Sequence, residues 1–129
     1  MTDPRCARTV LIVEDDTDTR SALAEVLEDG NYRLLTAENG KVALDELRAA
    51  PRAPCVILLD VMMPVMDGRE FRLEQEKDPA LREIPVVVLS AHADAVTSAT
   101  EMGAAGFLKK PVELGDLLRT VEQFCAKDY

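Results

Sequence analysis

The apolar residues of this 129-residue chain are concentrated in short runs with amphipathic segments between them. Three of the runs, VLIV, CVILL and VVVL, are hydrophobic at every position. Such runs are typical of strands that are buried on both faces of a parallel sheet. The pattern predicts five strands, at Val10–Val13, Tyr32–Ala37, Cys55–Leu59, Val86–Leu89 and Gly106–Leu108.

The segments between these runs carry apolar residues at helical spacing. Asp16 or Thr17 is the expected N-cap of the first helix, Gly30 its end, and the second helix ends before Pro51. The clearest of the three stripes lies near the C-terminus. In chain order the stripes are Ala22, Leu23, Val26 and Leu27, then Ala43, Leu44 and Leu47, then Leu114, Leu117, Leu118, Val121 and Phe124.

Two further segments have weaker helical signals. After Gly68, the residues Phe71 and Leu73 do not share a helical face, and Gln75 stands where an apolar residue would be expected. The segment 93–102 is rich in Ala and Thr and has few charges, so we expect it to be loosely held. We predict a helix in each segment, which completes the alternation of strands and helices.

This alternation predicts an α/β fold, namely a doubly wound, five-stranded parallel sheet with right-handed crossovers and helices on both faces. The length fits one domain that spans residues 1–129. With 47% hydrophobic residues, the chain can bury a core without disulfide bonds or metals.

The net charge and the polar segments exclude several classes of protein. A formal charge of -9 without clustered Lys and Arg argues against direct nucleic-acid binding. No stretch approaches the length of a membrane span, and the polar N-terminal segment lacks the apolar centre of a secretion signal. Cys6, Cys55 and Cys125 form an odd, scattered set, which predicts reduced thiols and a cytoplasmic location. We expect Cys55 to be a small core residue.

The polar residues that follow the predicted strands meet at one edge of such a sheet, because ligands of doubly wound folds bind at the carboxyl ends of the strands. Carboxylates that converge there repel one another, so either their pKa values rise or a cation joins them. Hard oxygen ligands favour Mg²⁺ as that cation. A lysine and a hydroxyl complete the groups that stabilise a transferring phosphoryl group. In chain order these residues are Glu14, Asp15, Asp16, Asp60, Ser90, Lys109 and Lys110.

Taken singly, each of these residues has a simpler explanation. The run Glu14–Asp16 could be an acidic start of a helix that favours the helix dipole. Asp60 could form a turn ahead of Pro64, Ser90 could be a cap, and the two lysines could be solvated. One shared site explains the coincidence at four strand ends better than four separate accidents do. Asp16 is the exception, because we expect it to cap the first helix rather than bind an ion.

The motifs VLIVEDD, ILLDVMMPVMDG, VVVLSA and GAAGFLKKP, in this order and spacing, resemble the receiver domain of two-component response regulators. The resemblance covers nearly the whole chain, with a core from about residue 9 to residue 124. It implies a flavodoxin-like fold with strand order 2-1-3-4-5, which we take from the family and do not derive. It also implies a signalling switch that catalyses only its own phosphorylation and dephosphorylation, not an enzyme that turns over a substrate.

The resemblance assigns a role to each site residue. Asp60 would accept a phosphoryl group from a sensor histidine kinase or a histidine phosphotransfer protein. Mg²⁺ would be bound by Asp15, Asp60 and the backbone carbonyl of Met62, and Glu14 would contribute directly or through a water molecule. Lys110 would stabilise the phosphoryl group, preceding a cis bond to Pro111. Ser90 and Phe107 would be the switch residues, although Phe107 could equally be a plain core aromatic.

The resemblance also implies how the switch is read. Phosphorylation would alter the face built from the fourth helix, the fifth strand and the fifth helix, and a downstream protein would bind there. We expect a monomer or weak dimer with no membrane contact. The chain contains no output domain, so it is either a free-standing receiver or part of a longer protein. His92, the one histidine, could shield the attacking water, contact a partner, or have no role.

Alternative functions remain open at this point. A haloacid-dehalogenase-type phosphatase needs a second aspartate two positions after its nucleophile, where this chain has Met62. A flavin or dinucleotide binder needs a phosphate-binding loop after the first strand, and the acidic EDDTDT segment would repel phosphate. A protein-interaction module of the same fold that does not use phosphorylation is the third alternative.

Overall fold

A computed structural model describes residues 8–91 and 95–125 of the chain, and it confirms the predicted α/β architecture. The predictions for Cys6 and His92 lie outside the described residues. Strands and helices alternate throughout. Their bounds are β1 Thr9–Val13, α1 Thr17–Asp29, β2 Arg33–Ala37, α2 Gly40–Ala49, β3 Val56–Asp60, α3 Gly68–Lys77, β4 Val86–Ser90, α4 Ala95–Glu101, β5 Gly106–Lys109 and α5 Leu114–Cys125.

The strands form one parallel sheet in the order β2-β1-β3-β4-β5, which confirms the predicted order. The register sets which residues meet at its carboxyl edge. Asp60 lies beside Leu89 of β4, and Ser90 lies beside Lys109 of β5. The parallel arrangement therefore carries the polar ends of β1, β3, β4 and β5 to the same edge.

Helices cover both faces of the sheet because each continuous apolar strand must bury its two rows of side chains. Leu11 and Val13 of β1 pack with residues of α2, α3 and α4 on one face. Val10 and Ile12 of the same strand pack with residues of α1 and α5 on the other. Within the described residues, no helix has both the length and the apolar character that crossing a bilayer requires.

The N-cap of α1 is Asp16, as predicted. Its side chain accepts hydrogen bonds from the backbone N–H of Thr19 at 2.8 Å and from the hydroxyl of Thr19 at 2.7 Å. These hydrogen bonds are the main reason why the pKa of Asp16 lies below its ordinary value. The carboxylate is therefore committed to the start of the helix.

Gln75 explains how α3 forms despite its weak apolar stripe. The side chain is fully buried, and its amide donates to the carbonyl oxygens of Leu81 at 2.9 Å and Ile84 at 3.0 Å. It thereby satisfies two acceptors in the loop that leads to β4. Phe71 supplies the apolar contact of the helix, whereas Leu73 points to solvent and is 60% exposed.

The expectation that residues 93–102 are loosely held does not fit the part that forms α4. Arg69 of α3 donates to the carboxylate of Glu101 at 3.0 Å and to the hydroxyl of Ser98 at 3.2 Å. Arg72 donates to the carbonyl oxygen of Met102 at 2.8 Å. These contacts tie α4 to α3, and no helical periodicity within residues 93–102 could have indicated them.

The expectation of reduced thiols is wrong for two of the three cysteines. Cys55 and Cys125 form a disulfide bond that joins the residue before β3 to the last residue of α5. Their Cα atoms lie 5.4 Å apart, within the range that a disulfide bond requires. The two residues are 70 positions apart in sequence, so only the packing of α5 against the sheet brings them together.

We expect Cys125→Ser to lower the free energy of unfolding by roughly 2–4 kcal/mol, because the bond restricts a long loop in the unfolded chain. Urea denaturation without reductant measures this difference. Wild-type protein in reductant should behave like the variant. Alkylation of the unreduced, unfolded wild type should modify one cysteine, and modification of all three would show that the bond is absent.

Candidate functional site

The first part of the site is the acidic turn that leaves β1. Glu14 is buried, whereas Asp15 is exposed. The backbone N–H of Glu14 donates to the carbonyl oxygen of Ala37 at 3.0 Å, which extends the contact between β1 and β2 by one residue. The N–H of Asp16 donates to the Glu14 carboxylate at 3.1 Å. The turn therefore has a fixed path, and its two carboxylates leave it at the sheet edge.

The second part is Asp60, the last residue of β3, which is buried and 5% exposed. Gly68 packs against the backbone of Asp60. The N–H of Gly68 donates to the carbonyl oxygen of Val61 at 2.9 Å. A Cβ atom at position 68 would lie 2.5 Å from the carbonyl oxygen of Asp60. The connecting turn also holds Val65 at a φ of 68°, a conformation that β-branched residues rarely adopt. The sharp turn between Pro64 and Gly68 thus closes tightly against the backbone of Asp60.

The third part is Lys110, which follows β5. Its ammonium lies 2.7 Å from Glu14 Oε1 and 3.3 Å from Asp60 Oδ1. Its backbone N–H donates to the carbonyl oxygen of Ser90 at 2.9 Å, and its peptide bond to Pro111 is cis. Lys109, the residue before it, is exposed. Lys110 is therefore the lysine that compensates the buried acids.

Burial and charge perturb the pKa values of this group. Burial raises the pKa of Asp60 to about 7, the charge of Glu14 contributes to the rise, and the charge of Lys110 opposes both effects. Burial alone would lower the pKa of Lys110, but the hydrogen bond to Glu14 and the charges of Asp60 and Glu14 raise it above its ordinary value. The lysine is therefore protonated and compensates only part of the acidic charge.

The predicted residues line one cavity of about 260 Å³ at the carboxyl edge. Ser90 is buried at its wall, and the side chain of Met62 is 65% exposed at its mouth. Ala91 leaves the wall beside Ser90 free of a bulky side chain. The cavity is lined by Glu14, Asp15, Asp16, Asp60, Val61, Met62, Ser90, Ala91 and Lys110.

The donor atoms of this cavity fit a hard divalent cation. One carboxylate oxygen from each of Glu14, Asp15 and Asp60 lies within 4.8 Å of the others. Three carboxylates with a single lysine leave excess negative charge, which a divalent ion would neutralise. Oxygen ligands of this kind suit Mg²⁺, which commonly takes one or two carboxylates together with water and phosphate oxygens.

Phe107 lies apart from this cavity. It is 39% exposed and lines a separate surface depression with residues of α5. The interpretation of Phe107 as a plain core aromatic is therefore wrong for this conformation, in which the ring is accessible from solvent.

Arg20 belongs to the site although sequence reasoning missed it. Its guanidinium donates to the carbonyl oxygen of Glu14 at 2.7 Å. The available signal was a single basic residue in the helix that follows the acidic turn. Its reach back to the turn depends on the angle between β1 and α1, which the sequence pattern does not specify.

A doubly wound parallel sheet with an acidic, lysine-containing cavity at its carboxyl edge defines the structural class. The sequence profile of the response regulator receiver domain matches residues 10–122, and the chain belongs to this family. Receiver domains are regulatory switches of two-component signal transduction that interact with histidine kinases and downstream targets.

Three relatives illustrate the similarity. The two-component response regulator ORR5 of Oryza sativa subsp. japonica is 33% identical over 85% of this chain and 83% of its own length. The receiver domain of a signal transduction histidine kinase from Syntrophus aciditrophicus has a TM-score of 0.82 with 32% identity, covering 92% of this chain and 89% of its own. The Vibrio cholerae chemotaxis protein CheY4 has a TM-score of 0.80 with 30% identity, covering 90% and 97%.

Proposed function

We propose that this protein is a phosphoacceptor switch in which Asp60 receives a phosphoryl group in a Mg²⁺-dependent reaction. The observation that carries the proposal is the arrangement around Asp60: its Oδ1 lies 3.3 Å from the ammonium of Lys110, and two more carboxylates lie within reach of a shared ion. The family membership supports the same role. We propose that residues 1–129 act as a single receiver unit.

The chemistry follows from these residues. An Asp60 carboxylate oxygen attacks phosphorus, a new O–P bond forms, and the P–N bond to the donor histidine breaks with its electron pair passing to the imidazole. Mg²⁺, held by Glu14, Asp15, Asp60 and the carbonyl of Met62, would supply positive charge to the phosphoryl oxygens. Lys110 holds a second positive charge beside the reacting oxygen, and the hydroxyl of Ser90 can donate to the transferred group.

The proposed switch begins when the ammonium of Lys110 leaves one of its carboxylate partners and contacts the phosphoryl group on Asp60. Ser90 then moves toward the new charge, and Phe107 turns inward into the space that Ser90 leaves. Three apolar side chains are exposed on consecutive elements of the proposed reading face, namely Val96 of α4, Phe107 of β5 and Leu114 of α5. Burial of the Phe107 ring would change the apolar surface that a downstream protein contacts.

The proposal extends to partners and location. The phosphoryl donor is a sensor histidine kinase or a histidine phosphotransfer protein, and the protein is a monomer or weak dimer that binds no nucleic acid directly. A cytoplasmic location fits a role that depends on phosphoryl donors of the cell interior. In the cytoplasm the Cys55–Cys125 bond would meet a reducing environment, in which disulfide bonds are rare.

Two alternatives have less support. A haloacid-dehalogenase-type phosphatase would need an acid at position 62, and the exposed methionine there cannot transfer a proton to a leaving group. An interaction module without phosphorylation would have no need to bury Asp60 beside Glu14, an arrangement that raises the pKa of Asp60 to about 7, chiefly through burial. A buried cluster of this kind, with a perturbed pKa in a cavity, favours a functional site.

Intact-mass measurement after incubation with Mg²⁺ and acetyl phosphate tests the proposed function. We expect wild-type protein to gain one phosphoryl group, because acetate replaces histidine as the leaving group. Asp60→Asn should gain none, and wild type without Mg²⁺ should gain much less. Asp45→Asn, which removes an exposed carboxylate of α2, is the matched control and should gain a phosphoryl group normally. Failure of the wild type with acetyl phosphate and with a histidine phosphotransfer protein would favour the interaction module.

A further inference from the structure

Arg20 contacts the backbone that joins two of the three acids. It lies near the start of α1 and is half-buried. Its Nη1 atom donates to the carbonyl oxygen of Glu14 at 2.7 Å and lies 3.5 Å from the carbonyl oxygen of Asp15. The first distance indicates a strong, charge-assisted hydrogen bond, and the second a weak one. The guanidinium therefore lies on the carbonyl side of the acidic turn.

Among the described residues, the other hydrogen bonds and ion pairs of the turn involve different atoms from those that Arg20 contacts. The N–H of Glu14 is held by Ala37 of β2, and the Glu14 carboxylate is contacted by Lys110 and by the N–H of Asp16. These contacts hold the first residue of the turn, Glu14, through its backbone N–H and its carboxylate. Asp15 is exposed, so the direction of its carboxylate depends on the peptide that precedes it.

We infer that Arg20 is a positioning residue for the cation, which holds the peptide between Glu14 and Asp15 so that both carboxylates face the ion. This inference rests on the proposed Mg²⁺ site and deepens it. Residues that orient the ligands of a metal commonly change its affinity by about 10–100-fold when they are removed.

A purely electrostatic role for Arg20 predicts the opposite effect. A positive charge near a cation site repels the ion, so its removal would strengthen Mg²⁺ binding by a few-fold at a partly exposed position. Loss of positioning instead weakens Mg²⁺ binding. The sign of the change therefore distinguishes the two roles.

The experiment is a Mg²⁺ titration followed by the amide NMR signals of Glu14, Asp15 and Asp60 in four proteins. Arg20→Gln removes the charge and the guanidinium, and Arg20→Lys keeps the charge but loses the planar geometry. Arg33→Gln is the matched control, since it removes an exposed arginine at the amino end of β2, away from the carboxyl edge. Thermal unfolding of each protein reports whether it is folded.

We expect Arg20→Gln to weaken Mg²⁺ binding by about tenfold. Arg20→Lys should fall between this variant and the wild type, and Arg33→Gln should stay within about twofold of the wild type. The amide signals of Asp15 and Asp16, whose peptide groups contain the two carbonyl oxygens near Arg20, should also shift in Arg20→Gln before Mg²⁺ is added.

Unchanged or tighter binding in Arg20→Gln would overturn the inference, as would a wild type that binds no Mg²⁺. If Arg20→Gln does not fold, the inference is tested on Arg20→Lys alone. Wild-type Mg²⁺ affinity in Arg20→Lys would then contradict a positioning role for Arg20. Failure of the proposed function is recognised separately, because it appears as wild-type protein that binds Mg²⁺ and gains no phosphoryl group. Mg²⁺ titration of the four proteins and mass measurement of the wild type thus decide both questions.

Discussion

Replacement of Gly68 by alanine is expected to lower the free energy of unfolding by about 3 kcal/mol, because the added Cβ atom has no room. It would lie 2.5 Å from the carbonyl oxygen of Asp60 and 2.9 Å from the Cα atom of Val61. Both neighbours are backbone atoms, so a side-chain rotation cannot relieve the overlap. Either the start of α3 moves away or the end of β3 shifts.

The second outcome of this substitution concerns the site. A shift of the Asp60 backbone changes the position of its carboxylate relative to Lys110, so Mg²⁺ affinity and phosphoryl gain should both fall. Gly115→Ala is the matched control, because its nearest contact would be an ordinary 3.5 Å from the flexible end of Arg119. That variant should be as stable as the wild type or up to about 1 kcal/mol more stable. Urea denaturation compares the variants, and equal stability of Gly68→Ala and wild type would contradict the close packing.

Asp60→Asn is expected to stabilise the Mg²⁺-free protein by about 2 kcal/mol at pH 8. A rise in pKa from 3.8 to about 7 would correspond to about 4 kcal/mol if all of it were realised. The attraction to Lys110 is already included in this net rise. Water in the open cavity screens the charges, so we expect about half of this value. The stabilisation arises because a buried negative charge is removed from beside Glu14.

The raised pKa of Asp60 also makes the free energy of unfolding depend on pH. Between pH 4 and pH 7 the folded protein retains the proton of Asp60 while the unfolded chain has lost it, so wild-type stability falls as the pH rises. The difference between Asp60→Asn and wild type should be small below pH 4 and reach its full size above pH 7. Asp45→Asn, with an exposed carboxylate, should show no such trend. Denaturation curves across this range measure the trend, and a pH-independent difference would contradict the raised pKa.

Most of the fold could be predicted because burial on both faces leaves an unambiguous pattern. The runs VLIV, CVILL and VVVL form the three central strands, and their bounds differ by a residue or so from the prediction. The candidate site could be predicted for a related reason. Parallel strands bring their carboxyl ends together, so residues far apart in sequence, such as Asp15 and Asp60, could be assigned to one place.

Features that depend on packing between helices could not be predicted. In the sequence, Gln75 interrupts an apolar stripe. In the structure its amide donates to two loop carbonyl oxygens, which lie within reach only because α3 packs against the sheet. Arg20 reaches the acidic turn only through the orientation of α1. The bond between Cys55 and Cys125 depends on where the last turn of α5 lies against the sheet.

The Cys55–Cys125 bond can hold the molecule together after the backbone has been cut. The segment between residues 55 and 125 contains β3, β4 and β5 with the helices that follow them, so a protease that cuts the backbone once there leaves two covalently linked fragments. Those fragments would migrate together on a gel and separate only after reduction. A form of this protein that is nicked within that segment should therefore keep its halves at high effective concentration and reassemble after denaturation.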